Sequence, residues 1–162
     1  MTGRMETKAT KVLLIEDHPG DARLIREALA ESRGARIDLE CVDRLSSGLR
    51  RLADGEIDLL LLDLGLPESQ GLDTLDRVRT EAPGVPIIVL TGRNDEVLGA
   101  QAVQIGAQDY LVKGDVDSRL LVRAMRYAIE RHRLLVKLQA KLLLDELTWR
   151  SEERRVGKEC RL

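Results

Sequence analysis

Four short apolar runs stand out along the chain, and each ends on polar residues. Val12-Leu13-Leu14-Ile15 runs into Glu16-Asp17, and Ile57-Asp58-Leu59-Leu60-Leu61-Leu62 runs into Asp63. Val85-Pro86-Ile87-Ile88-Val89-Leu90 runs into Thr91-Gly92, and Asp109-Tyr110-Leu111-Val112 runs into Lys113-Gly114. Continuous apolar runs of this length predict strands buried on both faces, the pattern of a parallel sheet. A weaker, alternating run, Ile37-Asp38-Leu39-Glu40-Cys41-Val42, predicts a second strand at an edge. Cys41 reads there as a small apolar strand residue.

Between these runs the apolar residues recur at helical spacing. Ala22, Ile25 and Leu29 mark a helix from Asp21 to Ser32, and Leu45, Leu49 and Leu52 mark another before Asp54-Gly55. Leu72, Leu75 and Val78 follow Gly71 and stop at Ala82-Pro83-Gly84, where proline disfavours a continuing helix. Val97 to Ile105 is a short helix ended by Gly106, and a fifth helix opens near Asp117 or Ser118, a good N-cap. Five strands alternating with five helices predict an α/β domain with right-handed crossovers. A span of about 120 residues suits a doubly wound five-stranded parallel sheet in the order 2-1-3-4-5, with its site at the switch between strands 1 and 3.

The fifth helix outlasts the sheet layer. No Gly or Pro occurs from Leu120 through Leu147, and Leu121, Met125 and Ala128 continue as Leu135, Leu138 and Leu142. The spacing predicts an extended C-terminal helix that serves as a coiled-coil strand, and so a homodimer through it. After Trp149 the chain is highly charged and loses its apolar period. The expected organisation is a domain over 8–132, a helical connector over 133–149, and a tail over 150–162 that is disordered or non-native.

Composition narrows the function. The 26 basic and 28 acidic residues nearly balance, and aromatics are 2% with no Phe, so neither an electrostatic footprint nor a stacking platform for nucleic acid is evident. No apolar run approaches the roughly 20 residues needed to cross a bilayer, and Met1 to Lys11 is polar. Two cysteines are too few for a disulfide scaffold, so a cytoplasmic protein that contacts neither membrane nor nucleic acid directly is expected.

The chemistry lies in where the strands end. Glu16, Asp17, Asp63, Thr91 and Lys113 all fall at carboxyl ends of predicted parallel strands, which line one crevice in an open α/β sheet. Asp63 alone reads as a helix N-cap, and Glu16-Asp17 as acids that favour a helix dipole. Together they form a cluster of three repelling carboxylates that calls for a cation. Oxygen-only ligands select a hard ion such as Mg²⁺. A carboxylate at that metal, faced by Lys and Thr, can act as nucleophile toward a phosphoryl donor. His18 follows the acidic pair and reads as a loop residue before it reads as a ligand.

These pieces, in this order and spacing, resemble the receiver domain of two-component response regulators, a CheY-like family. The matching segments are Glu16-Asp17, Asp63-Leu64-Gly65-Leu66-Pro67 with Gly71, Leu90-Thr91-Gly92, Gly106-Ala107-Gln108-Asp109-Tyr110, and Lys113, over roughly Lys11 to His132. The resemblance implies a flavodoxin-like fold and an aspartyl phosphate formed on Asp63. It implies Mg²⁺ bound by Asp17, by Glu16 mostly through water, by Asp63 and by the Gly65 backbone carbonyl. Thr91 and Tyr110 would be the switch pair, and Lys113 the counter-ion to the phosphoryl group. The implied donor is a sensor histidine kinase or a histidine phosphotransfer protein. Tyr110 reads equally as a core residue, because a switch residue also packs.

Two departures stand out: Gly114 follows Lys113 where the family usually has a cis proline, and the acidic pair is Glu-Asp. The first leaves open whether the Lys113–Gly114 peptide is cis. Phosphatases with an aspartyl nucleophile want a second Asp two residues on; Gly65 stands there, so a stand-alone enzyme is not expected. Asp145-Glu146-Leu147-Thr148 resembles the opening of a diguanylate cyclase domain, which would make this chain the front of a longer signalling protein. The contrasting reading is a receiver-like module that dimerises or docks a partner without phosphorylation.

Overall fold

The computed structural model describes residues 8–159, with side chains through 157. In β1 (Thr10–Ile15), Val12, Leu13, Leu14 and Ile15 are all fully buried. Leu13 and Ile15 pack on one side of the sheet, and Val12 and Leu14 on the other. The same division holds for Leu59 to Leu62 in β3 (Leu59–Asp63) and for Ile87 to Leu90 in β6 (Ile87–Thr91). Continuous apolar runs are required because helices cover both faces of a parallel sheet.

With β2 (Ile37–Val42) and β7 (Asp109–Val112), the sheet order is β2-β1-β3-β6-β7, and every pairing in it is parallel. Counted as five sheet strands, this is the expected 2-1-3-4-5 order. The alternating β2 occupies an edge, and most of its residues are half-exposed. One core holds α2 (Leu45–Ala53), α3 (Leu72–Glu81) and α4 (Glu96–Gln104) against the sheet through Leu45, Leu75, Val78 and Ala102. The other holds α1 (Pro19–Ala30) and the start of α5 (Ser118–Glu159) through Ile25, Leu29, Leu121 and Met125.

Some boundaries differ from the sequence reading. α1 begins at Pro19 rather than Asp21, because the His18 side chain caps it: Nδ1 accepts from Asp21 N at 3.2 Å. Two two-residue strands, β4 (Gly65–Leu66) and β5 (Ser69–Gln70), form an antiparallel hairpin directly after β3. The hairpin also closes α2. Arg44 gives that helix no side-chain cap, and Glu68 accepts from Ser46 N at 3.1 Å and from Ser46 Oγ at 3.0 Å instead.

The chain divides into compact units at Ile129 and Glu130. In the first, Asp117 Oδ1 accepts from Leu120 N at 2.7 Å, the expected cap of α5. In the second, α5 remains helical past Trp149 to Glu159, within the segment 150–162 expected from sequence to be a disordered or non-native tail. Contacts one turn apart support it: Arg150 pairs with Glu146 at 2.9 Å, and Trp149 Nε1 donates to Glu153 at 3.0 Å. Residues 160–162, with Cys160, lie outside the described residues. Among those described, no helix is long and apolar enough to cross a membrane.

Candidate functional site

The parallel register brings the carboxyl ends of β1, β3, β6 and β7 to one edge. A cavity of about 540 Å³ opens there, lined among others by Glu16, Asp17, Asp63, Gly65, Thr91 and Lys113. Six of the seven residues singled out from sequence therefore share one cavity. The seventh, Tyr110, is half-buried with its ring against α4: a Cβ added to Gly99 would lie 2.5 Å from Tyr110 Cδ2. That close approach explains a glycine in the middle of α4 and couples the Tyr110 ring to this helix.

Glu16, Asp17 and Asp63 each offer a carboxylate oxygen, and these oxygens lie within 4.8 Å of one another. Lys113 is the cation they face. Its Nζ lies 2.6 Å from Glu16 Oε2 and 3.2 Å from Asp63 Oδ2. A third carboxylate, which the sequence reading did not single out, holds it too: Asp21 Oδ2 accepts from Nζ at 3.1 Å. Asp21 sits in the first turn of α1, where an acid reads as helix-dipole compensation, and only the fold brings it to Lys113.

Burial tunes these groups. The Glu16 side chain is 1% exposed, and burial pushes its pKa up to about 7. The bond from Lys113 works against that rise, and the Asp63 carboxylate adds to it. Burial works to lower the Lys113 pKa, but Glu16, Asp63 and Asp21 outweigh it and hold the amine above the usual lysine range. Asp63 is fixed by its neighbour in the hairpin, since Gly65 N donates to its Oδ1 at 3.0 Å. Thr91 is buried, and its hydroxyl donates to the Leu111 carbonyl at 3.5 Å rather than to an acid. All described peptide bonds are trans, including Lys113–Gly114.

Five carboxylates line this cavity (Glu16, Asp17, Asp21, Asp63 and Asp95) against one lysine. Clustered acids in surplus and an all-oxygen donor set suit a hard divalent cation.

The comparisons with known proteins decide the family. Residues 12–126 match the response regulator receiver domain family. The chain belongs to that family. The receiver is 38% identical over 128 residues to the KDP operon transcriptional regulatory protein KdpE of Escherichia coli, covering 76% of this chain and 52% of that one. It is 32% identical over 119 residues to the DNA-binding response regulator MtrA of Mycolicibacterium smegmatis, covering 74% and 50%. The chain thus spans about half the length of these curated relatives.

A solved response regulator receiver domain protein from Clostridium thermocellum superimposes with a TM-score of 0.66 at 30% identity, covering 78% of this chain and 98% of that one. The signal receiver domain of an HD domain-containing protein from Pseudomonas fluorescens gives 0.69 at 25% identity, covering 85% and 98%. Receiver domains of this family accept a phosphoryl group in two-component signalling. The segment that resembles a diguanylate cyclase opening, 145–148, lies beyond the matched residues.

Proposed function

We propose that this receiver accepts a phosphoryl group on Asp63 from the phosphohistidine of a sensor histidine kinase or a histidine phosphotransfer protein. The observation that carries the reading is the Asp63 carboxylate, paired with Lys113 inside an acidic cavity at the strand ends. An Asp63 carboxylate oxygen attacks phosphorus, the P–N bond to the donor imidazole breaks, and its electron pair stays on that nitrogen. The product is an acyl phosphate. Lys113 offsets the charge on the transferring oxygens. Glu16, Asp17, Asp63 and the Gly65 carbonyl would hold Mg²⁺, which supplies a Lewis acid for the phosphoryl oxygens.

Thr91 carries the conformational response. Its hydroxyl donates to Leu111 in this state, and it turns to a phosphoryl oxygen once Asp63 is modified. The Tyr110 ring, seated on Gly99, passes that movement to α4. No second acid stands two residues after Asp63, so the domain is a phosphoacceptor switch rather than a turnover enzyme. The test is intact mass after incubation with acetyl phosphate and Mg²⁺. A gain of one phosphoryl group is expected, lost with EDTA; no gain with either acetyl phosphate or a phosphohistidine donor would overturn the reading.

The exposed Leu134, Leu135, Leu138 and Leu142 favour a further role, association of two copies through the connector over 133–149. We read the receiver as 8–132, acting in the cytoplasm, with phosphorylation biasing this association. Sedimentation with and without beryllofluoride tests the coupling, and an unchanged association constant would contradict it. MtrA, of which this chain matches about half, is named a DNA-binding response regulator.

A further inference from the structure

A second cavity of the receiver, about 760 Å³, lies between the end of α1 and the first turns of α5. Arg33, Arg119, Arg123 and Arg126 line it against a single acid, Glu31. Arg119, Arg123 and Arg126 are spaced i, i+4 and i+7, so they share one helix face. Among the described residues none of the four forms an ion pair, whereas Arg23 pairs with Glu27, Arg51 with Glu40 and Arg93 with Asp115. Like charges one turn apart on a helix repel. The fold therefore gathers four guanidiniums with one acid, Glu31, and no ion pair among them.

Tyr127 adds a second chemistry. Its side chain is 47% exposed, and the Arg123 guanidinium lies 5.4 Å above its ring. Planar guanidinium forks match phosphate oxygens in pairs, and a half-exposed aromatic offers a stacking surface for a flat ring. The chain as a whole carries a net charge of −2, whereas this cavity is lined by four arginines and one acid. A volume of this size suits a small ligand.

We propose that the α1–α5 cavity binds a nucleoside polyphosphate, with its phosphates on Arg119, Arg123, Arg126 and Arg33 and its base against Tyr127. The site is separate from the acidic cavity and uses none of its residues.

The test is titration calorimetry of the full chain in EDTA, with ATP, inorganic triphosphate and a duplex DNA oligonucleotide as probes. ATP is expected to bind saturably at one site per chain, and triphosphate several-fold more weakly. The double variant R119Q/R123Q is expected to lose at least tenfold in ATP affinity, and R119K/R123K, which keeps charge without the fork, to lose less. Tyr127→Leu is expected to weaken ATP and leave triphosphate unchanged. Because they relieve repulsion, the glutamine variants should melt no lower than the parent, which separates lost binding from lost folding. Absence of saturable ATP binding, or indifference to Tyr127→Leu, would overturn the proposal. Arginine-dependent binding of DNA tighter than that of ATP would overturn it too, and would make this face a nucleic-acid surface.

Discussion

The cavity at the strand ends gathers five carboxylates around one amine, while the cavity beside α5 gathers four arginines around one carboxylate. In the first, the charges are buried and interlocked: Glu16 is 1% exposed, and Lys113 touches Glu16, Asp21 and Asp63 at once. In the second, Arg123 rests on a half-exposed ring and no ion pair forms among the described residues. Buried charge must be compensated by the fold itself, because desolvation is costly. Exposed charge can be left to solvent until a ligand arrives. The acidic cavity therefore carries its own compensating contacts, and its remaining surplus of negative charge suits a divalent cation.

Removing the compensating charge breaks this contrast most severely. Lys113→Ala should slow phosphoryl uptake from acetyl phosphate by about 10²–10³-fold, the cost of losing one preorganised electrostatic contact, read from the rate of mass gain. Asp17→Asn should weaken Mg²⁺ binding by more than about 100-fold in calorimetry, beyond the loss typical of outer-shell partners. Asp21→Asn should slow uptake by about threefold to tenfold, as expected for about 1 kcal/mol of charge-assisted bonding at a partly exposed site. Mg²⁺ affinity should change little in that variant, because Asp21 acts through Lys113.

The pH response sharpens the comparison with the smallest effect. The Glu16 pKa lies above its ordinary 4.5, at about 7. The metal-free folded state thus holds that proton more tightly than the unfolded chain does. Its contribution to stability is complete below the unfolded value and is lost as pH rises through the folded one. The Lys113 pKa is also raised, but above the lysine range, so it adds no slope in this window. The melting temperature of the metal-free chain should fall between pH 5 and 8 relative to Glu16→Gln. Arginines keep their charge throughout, so melting of R119Q/R123Q should track the parent over that range.

The acidic site was legible because parallel strands declare their ends. An apolar run that stops at Asp63 or Lys113 places that side chain at the sheet edge whatever the loops do. Asp21 was not legible, since its role depends on a partner 92 residues away. Nor was the hairpin after β3, whose two-residue strands carry no periodic signal. Only the fold shows Glu68 capping α2. The arginine cavity hides for a related reason. Its α5 residues show helical spacing, but Arg33 arrives from the end of α1, and charges on one helix face ordinarily signify solvent. The helical state of 150–159 was not legible either, because composition, not capping, marked position 149; polar pairs one turn apart sustain the helix to Glu159.

The central claim is that Asp63 is the phosphoacceptor. It is tested most directly by treating the chain with acetyl phosphate and Mg²⁺, reducing with borohydride, and mapping the product by peptide mass. The account predicts homoserine at position 63 and no reduction product in Asp63→Asn. Homoserine at another carboxylate of the cavity, or an equal phosphoryl gain in Asp63→Asn, would contradict it.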